Sequence, residues 1–265
     1  MTPFRTLVVL IYTVGAVIRG KFCYDKYRKQ QDVIGEEAVQ QKIHDHAAKV
    51  SGRILKLSGC RLTVNGIENV PKEGAVLYAC NHQSFMDIPV MMVAVNRPTG
   101  FVAKEELGKI PFFRDWVSQV KGVLIARGDT RKALVSILQA AKNLQQGHCM
   151  VIYPEGTRTF DGILVEFKAG ALKAAQKGNA AIVPVAIDGA IDIMKRGSLW
   201  VHKANVTVTF MPAIPAEEVK VTETKVLADR VKKQVADVLG QEFVPQAVLD
   251  ELERQKNEQG AERNA

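Results

Sequence analysis

Hydrophobic and polar positions divide the chain into a helical front end and a longer stretch where strand and helix patterns alternate. The run TLVVLIYTVGAVI, Thr6 to Ile18, holds thirteen uncharged residues between Arg5 and Arg19. A bilayer-crossing helix needs roughly 20 apolar residues, so this run predicts a helix that dips into one leaflet. A buried core helix is the plainer alternative. A signal-peptide core has the same length, but no small-x-small cleavage site follows. From Glu36 to Leu57, apolar Val39, Ile43, Ala47, Val50, Ile54 and Leu57 recur at spacings of three and four. That predicts a second helix with one apolar face, which suits packing on the domain and lying at an interface equally well. Together the two segments predict a helical hairpin able to dock on a membrane.

From about residue 60 the period shortens. RLTVNG, AVLYAC, GFVAK, GVLIA, CMVIY, AIVPVAI and NVTVTF read as seven strands. Between them the period returns to that of a helix. Over Arg131–Gln146, Leu134, Leu138, Ala141 and Leu144 line one face and Gly147 supplies a stop. A further helix over Lys168–Lys177 ends at Gly178, and another over Thr224–Leu239 ends at Gly240. The fold class predicted is α/β, a central, mostly seven-stranded sheet layered by helices. Three parts follow: a membrane-docking hairpin over 1–59, an α/β domain over 60–248, and a polar tail over 249–265.

Composition sharpens this picture at the front end. Hydrophobic residues make up 47% and charged residues 24%, a globular balance. The net charge is +8, and residues 1–60 hold ten basic against five acidic side chains. Such a surplus suits nucleic acid or an anionic membrane. The apolar run decides for the membrane, because RGKFCYDKYRK directly follows it with five basic residues and two tyrosines. That flank suits anionic headgroups on the cytoplasmic face. No nucleic-acid partner is predicted. The four cysteines are scattered without C-x-x-C spacing, which argues against a zinc site or a disulfide framework and fits a reducing cytoplasm.

Three polar motifs fall just after predicted strands, where open α/β sheets gather their active residues. In YACNHQSFMDIPVMM, His82 and Asp87 are separated by four residues. A neutral imidazole can take a proton from an attacking alcohol, and an aspartate on its other nitrogen fixes the tautomer. The competing reading is local. Ser84 and Asp87 match a capping box, but Pro89 would then fall inside the helix. Pro89 favours a helix starting near Ile88, with Asp87 as its cap and His82 a plain loop residue. Spacing alone leaves both open.

In YPEGTRT, Gly156 lets the backbone approach a ligand and Arg158 offers a fork matched to phosphate. A surface pair between Glu155 and Arg158 is the simpler use. With one glycine and no following lysine the motif is not a nucleotide P-loop. Lys104 and Arg127 end two further strands and are placed to converge on an anion. Ile110, Phe112, Phe113 and Trp116 form an apolar set that suits an acyl chain or a core. A Cys80 thiolate beside His82 would give a covalent route, though a cysteine in AVLYAC more simply packs the interior.

NHQSFMD, the Lys-Glu-Glu-Leu segment, GVLIAR, YPEGTRT with EFKAG, and VPVAI occur in this order over about residues 60–215. The set resembles the 1-acyl-sn-glycerol-3-phosphate (lysophosphatidic acid) acyltransferases. The resemblance implies the glycerolipid acyltransferase fold behind a short membrane hairpin, as in bacterial members. It implies His82 as catalytic base and Asp87 as its partner. Glu155, Gly156, Thr157 and Arg158 would form the glycerophosphate-binding motif, with Arg127 and Lys104 near the substrate phosphate. Tyr153 stands where the family more often has Phe. The implied reaction moves an acyl group from acyl-CoA or acyl carrier protein to the 2-hydroxyl of lysophosphatidic acid, giving phosphatidic acid without metal or cofactor. The implied place is the cytoplasmic face of a membrane, the bacterial inner membrane for a bacterial member. Another acceptor such as glycerol-3-phosphate, or a non-catalytic lipid-binding protein of the same fold, are the alternatives.

Overall fold

The computed structural model describes residues 2–126 and 128–245. Arg127 and the tail over 249–265 therefore lie outside the described residues. Three helices come first: α1 (Thr2–Arg28), the short α2 (Gln31–Ile34) and α3 (Glu36–Ser58). Next are β1 (Arg61–Asn65), β2 (Val76–Cys80), α4 (Asp87–Ala94), β3 (Thr99–Lys104), α5 (Phe113–Gln119) and β4 (Val123–Ile125). Then follow α6 (Thr130–Gln145), β5 (Cys149–Ile152), α7 (Ala169–Gly178), β6 (Ala181–Asp188), α8 (Ala190–Ile193) and β7 (Asn205–Phe210). Helices α9 (Ala216–Val221) and α10 (Thr224–Leu239) close the described chain.

All seven predicted strands are present and form one sheet in the order β1-β7-β6-β2-β5-β3-β4. Strands β6, β2, β5, β3 and β4 are parallel, β7 runs antiparallel to β6, and β1 runs parallel to β7. Continuous apolar runs in β2, β5 and β6 place these strands at the centre, covered on both faces. Alternation along β2 sends Tyr78 and Cys80 to one face and Leu77 and Ala79 to the other. Helices α3 and α4 cover the first face, and α6, α7 and α10 cover the second. The carboxyl ends of β2, β5, β3 and β4 share one edge, which gathers the loops that follow them.

Helix α3 buries Ala47, Ile54 and Leu55 in the same core cluster as Tyr78 and Val206. The apolar face of α3 is thus packed on the sheet layer. Helix α1 is longer than its apolar run. It spans 27 residues and reaches the length and composition of a membrane-crossing helix, with a mean hydropathy of 1.6 over its most apolar window. Yet both of its ends are tied to the domain. Thr6 Oγ1 accepts from the Val201 N–H at 2.9 Å, and Tyr24 is buried against Val39 and Ile43 of α3. Near Tyr24, Lys21 pairs with Asp115 at 3.0 Å and Arg28 with Glu36 at 2.9 Å. The helix thus lies along the domain and leaves its far face, from Phe4 to Phe22, exposed.

Helix ends follow the sequence with one informative exception. Gly240 takes a left-handed conformation after α10, as predicted. For α7 the stop is Asn179, at φ 50°, and Gly178 is still helical. A Cβ on Gly178 would meet Leu144 Cβ at 2.6 Å, so this glycine serves the close approach of α6 and α7. Asparagine, which tolerates the left-handed region, takes the turn instead.

Candidate active site

Strand β2 ends at Cys80, and the next four residues are held from every side. The Asn81 side chain donates to Ile187 O and accepts from Ile187 N, continuing the β2–β6 ladder where the backbone leaves it. Gln83 Oε1 accepts from Ala190 N at the start of α8. Ser84 Oγ donates to Met194 O. His82 is thereby presented at the sheet edge on a loop with little freedom to move.

Asp87 is the first residue of α4 and is fully buried. Its carboxylate turns back, away from the helix, so Asp87 is not the N-cap of α4. Of the capping box only its reach to the Ser84 N–H is present, Ser84 Oγ being bonded to Met194 O. Oδ2 meets His82 Nδ1 at 2.6 Å and accepts from the backbone N–H of Gln83 at 2.8 Å and of Ser84 at 2.9 Å. Two fixed backbone donors lock the carboxylate, and the carboxylate fixes the imidazole so that Nδ1 carries the proton toward it. Nε2 is then left as the basic nitrogen. Tyr153, at the end of β5, stacks on the imidazole with ring centroids 4.1 Å apart. The spacing of the motif carries no trace of that contact. It arises because β5 pairs beside β2 and both strands end at the same edge.

Glu155 does not line the cleft. It is buried, and its Oε1 accepts from the His82 backbone N–H at 2.6 Å while Oε2 accepts from Val165 N at 3.4 Å. Neither the expected substrate contact nor the surface pair with Arg158 describes it, since it ties the two loops together. Burial pushes its carboxyl up to about 7, with the two backbone donors opposing the shift. Gly156 sits at φ +67°, and a Cβ there would come within 3.2 Å of Lys168 Nζ. The positive φ is what requires glycine, since the flexible end of Lys168 can give way by a few tenths of an ångström.

A cleft of about 920 Å³ opens over His82. Gly156, Thr157, Arg158 and Lys104 line it. The Arg158 guanidinium lies 3.7 Å over the Phe85 ring. Lys104 pairs with Glu106 at 3.0 Å. Three cations outside the expected set, Lys168, Lys173 and Arg196, also line the cleft; Lys168 is the lysine of EFKAG. Apolar walls come from Phe85, Ile88, Leu107, Ile125, Leu134 and Ile137. The apolar set of Ile110, Phe112, Phe113 and Trp116 does not line the cleft. Trp116 packs on the core beside Tyr24 and Val120, while Ile110 and Phe112 are exposed away from the cleft. Cys80 is fully buried in the sheet core and its thiol is pushed up by burial, so the covalent route has no accessible nucleophile.

An α/β sheet presenting a carboxylate-held histidine below a basic and apolar cleft defines the class, and comparison bears this out: a family model described as Acyltransferase matches residues 61–188. A 1-acyl-sn-glycerol-3-phosphate acyltransferase of Helicobacter pylori is 33% identical over 163 residues, covering 61% of this chain and 68% of that protein. A chloroplastic one of Arabidopsis thaliana is 29% identical over 201 residues, 75% of this chain and 54% of that protein. The crystal structure of the 1-acyl-sn-glycerophosphate (LPA) acyltransferase PlsC from Thermotoga maritima superposes with a TM-score of 0.74 at 26% identity, covering 91% of this chain and 99% of that one. The chain belongs to the 1-acyl-sn-glycerol-3-phosphate acyltransferase family. It spans about half the length of the plant and algal relatives it matches.

Proposed function

We propose that this protein transfers an acyl group from a thioester donor, acyl-CoA or acyl carrier protein, to the 2-hydroxyl of lysophosphatidic acid at a membrane surface. The observation that carries the reading is the 2.6 Å contact of His82 Nδ1 with the locked Asp87 carboxylate. It leaves Nε2 free to act at the floor of a cleft holding both cations and apolar walls. Nε2 removes the proton from the acceptor hydroxyl as its oxygen attacks the thioester carbonyl. The tetrahedral intermediate collapses, the carbon–sulfur bond breaks, and the imidazolium returns its proton to the departing thiolate. The products are phosphatidic acid and free thiol. Asp87 stabilises the imidazolium between the two steps.

Arg158, Thr157 and Gly156 are assigned to the acceptor phosphate, with Lys104 shared between that phosphate and Glu106, and with Arg127 as the family resemblance implies. An acyl chain lies along the apolar wall. The exposed face of α1 and the basic segment after Ile18 fit docking on the cytoplasmic face of a bilayer.

Thiol release from acyl-CoA or acyl carrier protein, with and without lysophosphatidic acid, tests the reaction. Wild type should release thiol only with the acceptor, and His82→Ala should lose about 10²–10⁴-fold. Equal turnover by His82→Ala would refute the assignment. Glycerol-3-phosphate and other lysolipids in parallel reactions decide the acceptor.

A further inference from the structure

Around the cleft mouth the chain exposes large apolar side chains on two separate loops. Between α8 and β7, Leu199 is 76% and Trp200 52% exposed. After β5, Phe160 is 71% and Ile163 60% exposed. The loops are joined, because Arg196 donates to Arg158 O at 2.6 Å and its guanidinium covers the Phe160 ring at 3.7 Å. The first loop is also joined to α1 through the Val201 N–H bond to Thr6 Oγ1. Leu199 and Trp200 therefore emerge between the first turns of α1 and the rim of the cleft.

We propose that the Leu199–Trp200 loop is a second membrane anchor, which inserts into the bilayer interface beside α1 and turns the mouth of the cleft onto the lipid surface. Charge selects this occupant over an apolar protein partner. Lys195, Arg196, His202 and Lys203 flank the pair, with no acidic residue between Lys195 and Lys203. An amphipathic tryptophan beside cations matches the headgroup level of an anionic bilayer. Continuity supports it as well, since the exposed stripe of α1, including Phe4, Leu7 and Ile11, starts next to the loop. An acceptor lipid would then reach His82 from the leaflet without its chain crossing water. The proposal rests on membrane docking by α1, as read above, and adds a contact that α1 docking alone does not require.

The chain has two tryptophans, and Trp116 is packed against the core, so Trp116→Phe leaves Trp200 as the only reporter. Full-length Trp116→Phe is mixed with phosphatidylglycerol–phosphatidylethanolamine vesicles. Emission should shift to the blue, and lipids brominated along their acyl chains should quench it. Co-sedimentation with the vesicles while Trp200 keeps aqueous emission would overturn the second anchor and leave docking by α1 intact. Failure to co-sediment would overturn both. Leu199→Glu/Trp200→Glu, made in the otherwise wild-type chain, gives an independent measurement. It should weaken partitioning onto the vesicles at least about ten-fold, because it removes two large apolar side chains and adds two charges. Its turnover of a short-chain lysophosphatidate below micelle formation should stay at the wild-type rate. Undiminished partitioning, or equal loss of turnover on the monomeric acceptor, would overturn the proposal.

Discussion

Replacing Asp87 by asparagine and by alanine should have different consequences, because one atom of this residue does three jobs. Oδ2 holds His82 Nδ1 and the backbone N–H groups of Gln83 and Ser84. In Asp87→Asn the amide oxygen must take the Oδ2 position, since the amide nitrogen would face two backbone donors. The His82 tautomer is therefore retained and only the charge is lost. A hydrogen bond to a charged group is worth about 1.5–3 kcal/mol against about 1 kcal/mol for a neutral one. The imidazolium then loses about 0.5–2 kcal/mol of support, roughly 2–30-fold in kcat. The amide nitrogen falls where Oδ1 is buried without a hydrogen-bond partner, costing about 1–3 kcal/mol of stability. Asp87→Ala also orphans both backbone donors, for roughly 2–6 kcal/mol, and frees the imidazole to turn. Its kcat should fall further, toward the full general-base contribution of about 10²–10⁴-fold. Thiol release gives kcat, and urea unfolding gives stability. A folded Asp87→Ala with wild-type kcat would refute the pairing. Equal kcat losses in the two variants would refute the role assigned to the backbone donors.

Three other perturbations follow from the same geometry. Arg158→Ala should raise KM for the phosphorylated acceptor about ten-fold or more with a smaller change in kcat, through loss of a charge-assisted contact; initial rates against acceptor concentration separate the two. Glu155 has its carboxyl raised from 4.5 to about 7 by burial, so the folded state binds its proton more tightly than the unfolded chain does. That contribution is present in full below pH 4.5 and is lost as pH rises through about 7, roughly 3 kcal/mol in all. The stability difference between wild type and Glu155→Gln, which cannot titrate there, should drift by that order from pH 4.5 to pH 7, and a constant difference would contradict the assignment. Cys80→Ala should keep thiol-release activity and lose about 1 kcal/mol of stability, as expected for a small cavity in the sheet core; loss of turnover in the folded variant would restore the covalent route.

Much of this protein was legible from residue patterns, because its elements follow from short-range rules. Central strands read as unbroken apolar runs since both of their faces are covered. The period of α3 gave its buried face, whereas on α6 only Ala141 and Leu144 of the expected stripe are buried and Leu134 and Leu138 are exposed. Gly240 marked a helix end because few other residues adopt a left-handed conformation without strain. His82 and Asp87 lie within one loop, so their spacing alone made a pair conceivable, and the ordered motifs pointed to a family. Spacing could not say which way the Asp87 carboxylate turned. That was decided by two backbone N–H groups available only once the loop is closed. Glu155 and Tyr153 show the same limit across the sheet. Both follow β5 while His82 follows β2, and only the pairing of those strands sets one against the backbone N–H of His82 and the other against its ring. The apolar wall of the cleft likewise comes from residues distant in sequence. Local pattern therefore determined the elements and singled out the candidate site residues, while strand order, a property of the whole sheet, decided what each of them touches.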